Sequence, residues 1–427
     1  MSNIVYKGYV KVKSYNIIIV LLCIGHFVVP FVFWPWAPVV FEIPRVIFIK
    51  YWIECIVLVA AWKAIREGAP NQPDKWLLYP LIAFISIATF SSFVGTDLSK
   101  SYWGNYYRQD GLLTLFHLMS FFLVLNLFWR KNWFGLLFTT LAASSLLTSL
   151  WSLILGIRLY ILNDKTTPNW AGGIGGFFSQ PNFLTGYLLI TMPVFFYFFV
   201  EAKNKTIKNL SIVALIIQSI AIILTLAWMG IIGLAVLALI AVIVFSKNSK
   251  IKLLSVAVTA CAIIAILFFY NQSLATKGYS AESRPRIYTK IVLGSLKRPI
   301  FGWGWANVDH TFEAVDYPIK YTNDIYVDKA HFELLEVLAT TGFVGLSIYV
   351  TILTILVVKL IKIQKNEGTA AKILLVIVLM YMFHSQTNIM SIAEELIFWL
   401  ILGIVSASPP KKSDFLTHYA HDSTNIS

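Results

Sequence analysis

Apolar runs of about 18 to 20 residues recur along this chain, each the length a helix needs to cross a bilayer. In hydrocarbon every backbone polar group must pair internally, so such runs can only be helices or closed barrels, and runs this long read as helices. Spans are expected at about 16–33, 45–62, 76–93, 111–129, 133–155, 182–200, 210–228, 230–246, 253–270, 337–358, 373–390 and 392–406, about twelve in all. The expected fold class is therefore all-α: a polytopic membrane helix bundle. Composition agrees, with 58% hydrophobic and 13% charged residues in 427. One transmembrane domain is expected over 1–408, and a polar, disordered cytoplasmic tail over 409–427. The basic-then-apolar N-terminus ends in FVFWPWAP with no small-residue cleavage site, so it reads as a retained helix.

The net charge of +13 could suggest nucleic acid, but its distribution argues against that partner. With the N-terminus inside, Lys7, Lys11, Lys13, Lys63, Arg66, Lys203, Lys205, Lys208, Lys247, Lys250, Lys252, Lys359, Lys362 and Lys365 all fall on cytoplasmic segments. Outside loops before residue 271 carry only Lys100, Arg108, Arg158 and Lys165. This is the positive-inside bias, and it puts both termini in the cytoplasm. Cys23, Cys55 and Cys261 all lie within expected spans, which speaks against a disulfide framework or a thiolate metal site.

The loop over 271–336, between the ninth and tenth spans, departs from that bias. It is expected outside yet holds Lys277, Arg284, Arg286, Lys290, Lys297, Arg298, Lys320 and Lys329. A long translocated loop can escape the rule; an anionic ligand at the outer membrane face is the other account. Residues 286–298 read as a short amphipathic helix with Ile287, Ile291 and Leu296 on its apolar side, begun near Pro285 and ended by Pro299. It is expected to lie along the membrane surface, with the tryptophans of FGWGWAN (301–307) at the interface. Two other outer loops are rich in turn and aromatic residues: 94–110 with GTDLSKSYWGNYYRQD, and 156–181 leading into NWAGGIGGFFSQPN.

Several side chains could carry chemistry. His331 stands at the junction of the large loop and the tenth span, and an imidazole can accept a proton near neutral pH without special tuning. Asp328, three residues earlier, could orient it. A solvated or packed histidine is the plainer account. Arg284, Arg286 and Arg108 suit bidentate phosphate binding, or they contact lipid headgroups. Lys50 and Glu54 lie four apart inside a span; a mutual salt bridge is the simpler reading, a functional charge the other. His26, His117 and His384 read as isolated hydrogen-bonders between helices. Walker A, HExxH, GxSxG and CxxC patterns are absent. The outer loop WPWAPVVFEIP (34–44) has one acidic residue, Glu42, which argues for a metal-free mechanism, although Asp309, Asp316, Asp324 and Asp328 keep a cation open; no cofactor is expected.

Together these segments resemble the O-antigen ligase and O-antigen polymerase superfamily. SRPRIYTKIVLGSLKRPIFGWGWAN (283–307) resembles its Arg-led helix, proline and Phe-Gly-x-Gly turn, with Arg284 in the leading position and Tyr288 where Trp is frequent. DKAHFELLEVLATTGFVG (328–345) resembles its Asp-Arg-Ala-His-Asn stretch, His331 falling on the histidine and Phe332 replacing the usual Asn. YYRQDGLL (106–113) and FFSQPNFLTGYLL (177–189) resemble the earlier Arg-x-x-Gly and Pro-Asn motifs, the latter bringing in Asn182. Where many members have Ser-Arg-Gly this chain reads LAWMGIIG (226–233), without an arginine.

The resemblance implies a metal-independent glycosyltransferase in a bacterial inner membrane. It implies a donor glycan on polyprenyl (undecaprenyl) diphosphate, and an acceptor hydroxyl on a glycan, a lipid or a protein. His331 would be the general base of an inverting displacement. Arg284, Arg286 and Arg108 would hold the diphosphate, with Asp328 and Asn182 in support. Within the family a surface-polysaccharide polymerase or a protein O-oligosaccharyltransferase is an alternative to a ligase; outside it, a flippase for the lipid-linked glycan is.

Overall fold

The computed structural model describes residues 16–169, 172–178, 180–260, 283–317 and 325–408. The expected tail, most of the 253–270 span, Cys261, and Lys277, Lys320 and Asp324 lie outside the described residues. The rest is a helical bundle: α1 (Ile17–Val28), α2 (Glu42–Glu67), α3 (Lys75–Val94), α4 (Leu98–Trp103), α5 (Leu112–Phe128), α6 (Phe134–Gly156), α7 (Pro181–Thr191), α8 (Pro193–Glu201), α9 (Lys205–Leu224) and α10 (Trp228–Phe245). A helix at 249–260 (α11) leads up to the undescribed residues. Then come α12 (Arg284–Ser295), α13 (Val308–Glu313), α14 (Glu333–Ser385) and α15 (Ile392–Ser406).

Among the described residues seven stretches are long and apolar enough to cross a membrane: Lys75–Val94, Lys131–Ile161, Pro181–Glu201, Lys205–Leu224, Trp228–Phe245, Glu333–Gln364 and Gly368–Ser385. Ile17–Phe31 and Leu112–Phe128 are apolar but shorter. The polytopic all-α reading therefore stands; seven of the expected spans meet that measure among the described residues, and most of 253–270 lies outside them. Two further expected spans, 45–62 and 392–406, are not among the seven for visible reasons. The helix α2 carries Glu42, Arg45, Lys50 and Glu54 along its first half, and α15 is only 15 residues long. Boundaries also shift: the expected 210–228 span is α9, ending at Leu224, and 386–391 is a turn rather than the end of a span.

The longest element, α14, is two antiparallel arms. Gly342 (φ 67°) and Gly368 (φ 71°) leave helical geometry, a backbone state in which a side chain is strained. The arms pack on α3 and α10, while α15 packs on α5, α2 on α5 and α6 on α9. One end of the bundle is tied by an antiparallel pair, Gln72 opposite Ser408 and Pro73 opposite Ala407, by an ion pair of Lys359 with Asp74, and by the Asn71 amide donating to the Trp129 carbonyl at 2.8 Å.

The other end is organised by FGWGWAN. The break at Gly342 releases backbone groups that an unbroken helix would pair internally. The Trp303 and Gly304 amides donate to the carbonyls of Ala339 and Thr340 (2.9 and 3.0 Å), and the amides of Phe343 and Val344 donate to those of Pro299 and Ile300 (2.8 and 3.4 Å). A Cβ on Gly342 would stand 2.2 Å from the Ile300 carbonyl oxygen. Trp303 Nε1 donates to the Gly294 carbonyl (3.0 Å) and Trp305 Nε1 to that of Asp110 (2.9 Å). The tryptophans, expected at a lipid interface, are thus half-buried donors that join α12 and the 104–111 turn to the kink. The helix α12 is likewise not left to lipid. Ile287 and Ile291 bury against Val308, Phe312, Val327, Ala330 and Ala339, while Leu296 falls beyond the helix and is exposed.

Candidate active site

Two turns meet at that end, and their charges are complementary. Arg108 Nε donates to Asp328 Oδ2 at 2.7 Å, and Lys329 Nζ lies 2.5 Å from Asp110 Oδ2 while also pairing with Glu336. The sequence R-x-D (108–110) therefore faces D-K (328–329) across the interface. Burial alone would push the Asp110 carboxyl up. Lys329, the Asn105 amide and Arg108 outweigh burial and hold the carboxyl below its ordinary value. Burial would likewise depress Lys329, but Asp110 and Glu336 raise it instead. Each turn holds a non-glycine residue in the left-handed region, Gln109 (φ 52°) and His331 (φ 56°). Such strain persists only where the surroundings over-determine the backbone.

His331 Nδ1 lies 3.1 Å from the Lys329 carbonyl oxygen. A carbonyl only accepts, so Nδ1 carries the proton and Nε2 keeps a lone pair. Burial, then the nearby Arg284 charge, lowers the imidazole pKa to about 4, so it is neutral at neutral pH. Its φ > 0 backbone and the Tyr288 hydroxyl, which donates to its carbonyl at 3.3 Å, fix the residue at the head of α14. Phe332 is the N-cap of that helix and makes no side-chain cap; its ring meets Tyr288 edge-on at 5.8 Å. The capping bond comes from elsewhere: Gln386 Oε1, in the α14–α15 turn, accepts from the Leu334 amide at 3.2 Å.

His331, Arg108, Asp110, Lys329, Glu333 and Glu336 share the wall of one cavity of about 1180 Å³, open solvent at its mouth included. It reaches into the bundle past Phe84, Tyr349 and Tyr381 to Glu395 and Trp399. Glu333 accepts from the Tyr349 hydroxyl and, at 3.2 Å, from that of Tyr381. The carboxyl groups at depth offer a phosphate no counter-charge, whereas Arg108 and Lys329 supply cations on the same wall. Among the described residues no group of three or more His, Cys, Asp or Glu side chains could hold a metal ion; Asp309 pairs with Lys100 and Asp328 with Arg108.

The other expected site residues divide. Arg284 reaches the turn at the cavity's rim, donating to the Thr387 carbonyl and to Asn388 Oδ1 (3.1 Å). Asn388 lines the cavity. Arg286 is buried elsewhere, with Nε on the Tyr317 carbonyl at 3.3 Å and its guanidinium 5.4 Å from the centre of the Phe312 ring, and it does not line the cavity. Asn182, partly exposed at the second position of α7, does not line it either. Its neighbour Phe183 does connect to the site, its ring centre 5.6 Å from the Arg108 guanidinium. Asp328 holds Arg108 in a direct ion pair, while the imidazole bonds a backbone carbonyl.

Three readings of intramembrane residues need correcting. Glu54 pairs with His117 at 2.9 Å rather than with Lys50. His384 is not isolated: it lies 2.9 Å from Glu394, both fully buried beside Gly186. His117, expected to be isolated like His384, is partnered across helices by that same contact with Glu54. The sequence alone does not mark Asp110, Lys329 and Glu336 as site residues. The signal for two of them was the reversed charge order of the turns, and Glu336 needed the helix to begin at Glu333 rather than 337. Nor does the sequence mark Arg45. Fully buried, it donates to the carbonyls of Val29 (3.1 Å), Pro30 (2.8 Å) and Phe177 (2.6 Å) and pairs with Glu42.

Residues 213–350 match the family model described as O-antigen ligase. The match runs from α9 into the first arm of α14, covering Arg284, Arg286, Asp328 and His331, and leaving Arg108 and Asn182 outside. It supports membership of the O-antigen ligase superfamily, the group that the motifs resemble. No curated protein matches the chain.

Proposed function

We propose that this chain, of the O-antigen ligase superfamily, transfers a glycan from a polyprenyl diphosphate to a hydroxyl acceptor at the outer face of a bacterial inner membrane. The carrying observation is the shared cavity mouth. There a neutral imidazole with its Nε2 lone pair available stands within one enclosure with Arg108, and Arg284 borders the rim. The acceptor oxygen attacks the anomeric carbon as its proton passes to His331 Nε2, and the carbon–oxygen bond to the diphosphate breaks on the opposite face, giving inversion. Diphosphate is already a good leaving group, so it needs neutralisation more than protonation, which guanidinium groups supply without a metal.

Arg108 is the primary contact in this reading. Its Nε serves Asp328, and its two terminal nitrogens make no other hydrogen bond among the described residues. Arg284 contributes charge and holds the 386–391 turn, while Arg286 anchors α12 on α13. Asp328 sets the direction of Arg108. Asn182 supports it through its neighbour Phe183.

The test is purified protein in liposomes with lipid-linked glycan and a hydroxyl acceptor. Wild-type protein releases polyprenyl diphosphate and forms a new glycoside of inverted configuration. His331→Ala, with an unchanged melting profile, loses about 10² to 10⁴ of the rate, the usual worth of a positioned base. Full transfer by folded His331→Ala would refute the base. Movement of intact lipid between leaflets without new product would identify a flippase. A product that stays on its lipid and lengthens would identify the acceptor as another lipid-linked glycan, as in a polymerase.

A further inference from the structure

On the far side of the 104–111 turn from the cavity lies a second, more open recess of about 1430 Å³, solvent at its opening included. Lys50, Glu54, His117, Trp103, Tyr106 and Gln109 are among the residues that line it. The wall between the two spaces is a single turn: Arg108 and Asp110 face the cavity, while Tyr106 and Gln109 face the recess. Two features do not suit plain lipid contact. Ionisable groups on membrane helices are costly and usually line a polar path, yet Lys50 and His117 lie about 12 Å and about 8 Å along α2 and α5 from their starts, at 1.5 Å per residue. Glu54 pairs with His117 at 2.9 Å, and Lys50 makes no ion pair or hydrogen bond among the described residues. Trp103 (59% exposed) and Tyr106 (66%) line the same recess from the loop side.

Flat aromatic faces beside mixed donors and acceptors are the chemistry that recognises a pyranose: the rings cover the C–H face and the polar groups bond its hydroxyls. A phosphate would meet Glu54 and Asp97 in the same recess, and an acyl chain would cover the Lys50 ammonium without bonding it. We propose that this recess is a glycan subsite that holds the sugars next to the one reacting in the cavity. Trp103 and Tyr106 stack on them, and Lys50 and Gln109 donate to their hydroxyls. It rests on the reading of the cavity as a glycan-transfer site.

The experiment is saturation-transfer NMR on the full chain in lipid nanodiscs, with maltohexaose, chitohexaose and hexagalacturonate as probes. At least one probe should receive saturation from wild type and, equally, from His331→Ala. The Trp103→Ala/Tyr106→Ala protein should lose it at least fivefold, Trp103→Phe/Tyr106→Phe should keep it, and Lys50→Met should weaken it. Undiminished transfer in the alanine protein, or none from wild type with any probe, overturns the subsite. Brominated acyl chains that quench Trp103 emission as strongly as that of Trp62 on α2 also overturn it, since lipid then fills the recess. Because His331→Ala should slow transfer and His331 does not line this recess, failure of the transfer reading and failure of the subsite are read separately.

Discussion

At the scale of single residues, the site is held by partners distant in sequence. The α14 N-terminus presents His331, and its first-turn amides need acceptors. An Asn at 332 would supply one locally. Phe332 instead packs on Tyr288, and Gln386 supplies the acceptor from across the hairpin. Gln386→Ala should therefore cost about 1 kcal/mol of stability, the usual worth of a cap. Adding Phe332→Asn should restore part of it, as thermal melts in detergent would reveal; no loss in the single variant would remove the capping role. The imidazole yields a pH test. Its folded pKa of about 4 lies below the ordinary 6.5, so His331 stays a competent base as pH falls through 6.5 and is lost only toward 4. The same displacement means that protonation below 6.5 favours the unfolded chain. A transfer rate that halves near pH 6.5 would contradict the buried, neutral imidazole.

At the scale of elements, the break in α14 is made by its partner as much as by its glycine. Gly342 adopts φ 67°, and four hydrogen bonds with residues 299–304 replace those the break forfeits. Any side chain there meets the Ile300 carbonyl. Gly342→Ala should cost more than the roughly 1 kcal/mol that left-handed geometry alone imposes. It should also displace the FGWGWAN turn, and through Trp305 the carbonyl of Asp110 and the Arg108 turn. The check is paired: a lower melting temperature together with weaker donor binding. Unchanged donor affinity in a destabilised protein would separate the kink from the site. The helix α12 teaches a related point. Its apolar stripe was legible, but a stripe does not say what covers it, and here α13 and the head of α14 do so rather than lipid.

At the scale of the whole molecule, Arg45 connects regions that the chain order separates. Buried on α2, it satisfies carbonyls at the end of α1 and in the turn before α7 while pairing with Glu42, which in turn accepts from the first amide of α15 at 3.4 Å. Breaking a buried pair from one side costs about 3 to 5 kcal/mol, because the other charge stays behind. Arg45→Met should lower stability by that order, and Arg45→Met/Glu42→Gln should recover much of it. Equal losses in the two proteins would show that the carbonyl contacts, not the charge, carry the effect.

What the chain alone determined is what depends on near neighbours. Long apolar runs can satisfy their backbone in hydrocarbon only as helices. Prolines and glycines punctuate those helices, and the motifs at 106–113, 177–189, 283–307 and 328–345 carry the family resemblance. Tertiary structure alone decided which charges meet. Arg108 and Asp328 are 220 residues apart, and Arg284 reaches Asn388 over 104, separations at which no periodicity or spacing is informative. Two arginines two residues apart on one helix went to different places, one to the cavity rim and one behind Phe312, because α13 and the α14–α15 turn cover different faces of α12. A charged side chain entering a low-dielectric interior is held wherever an opposite charge or a carbonyl is available, and only the packed helices determine where that is.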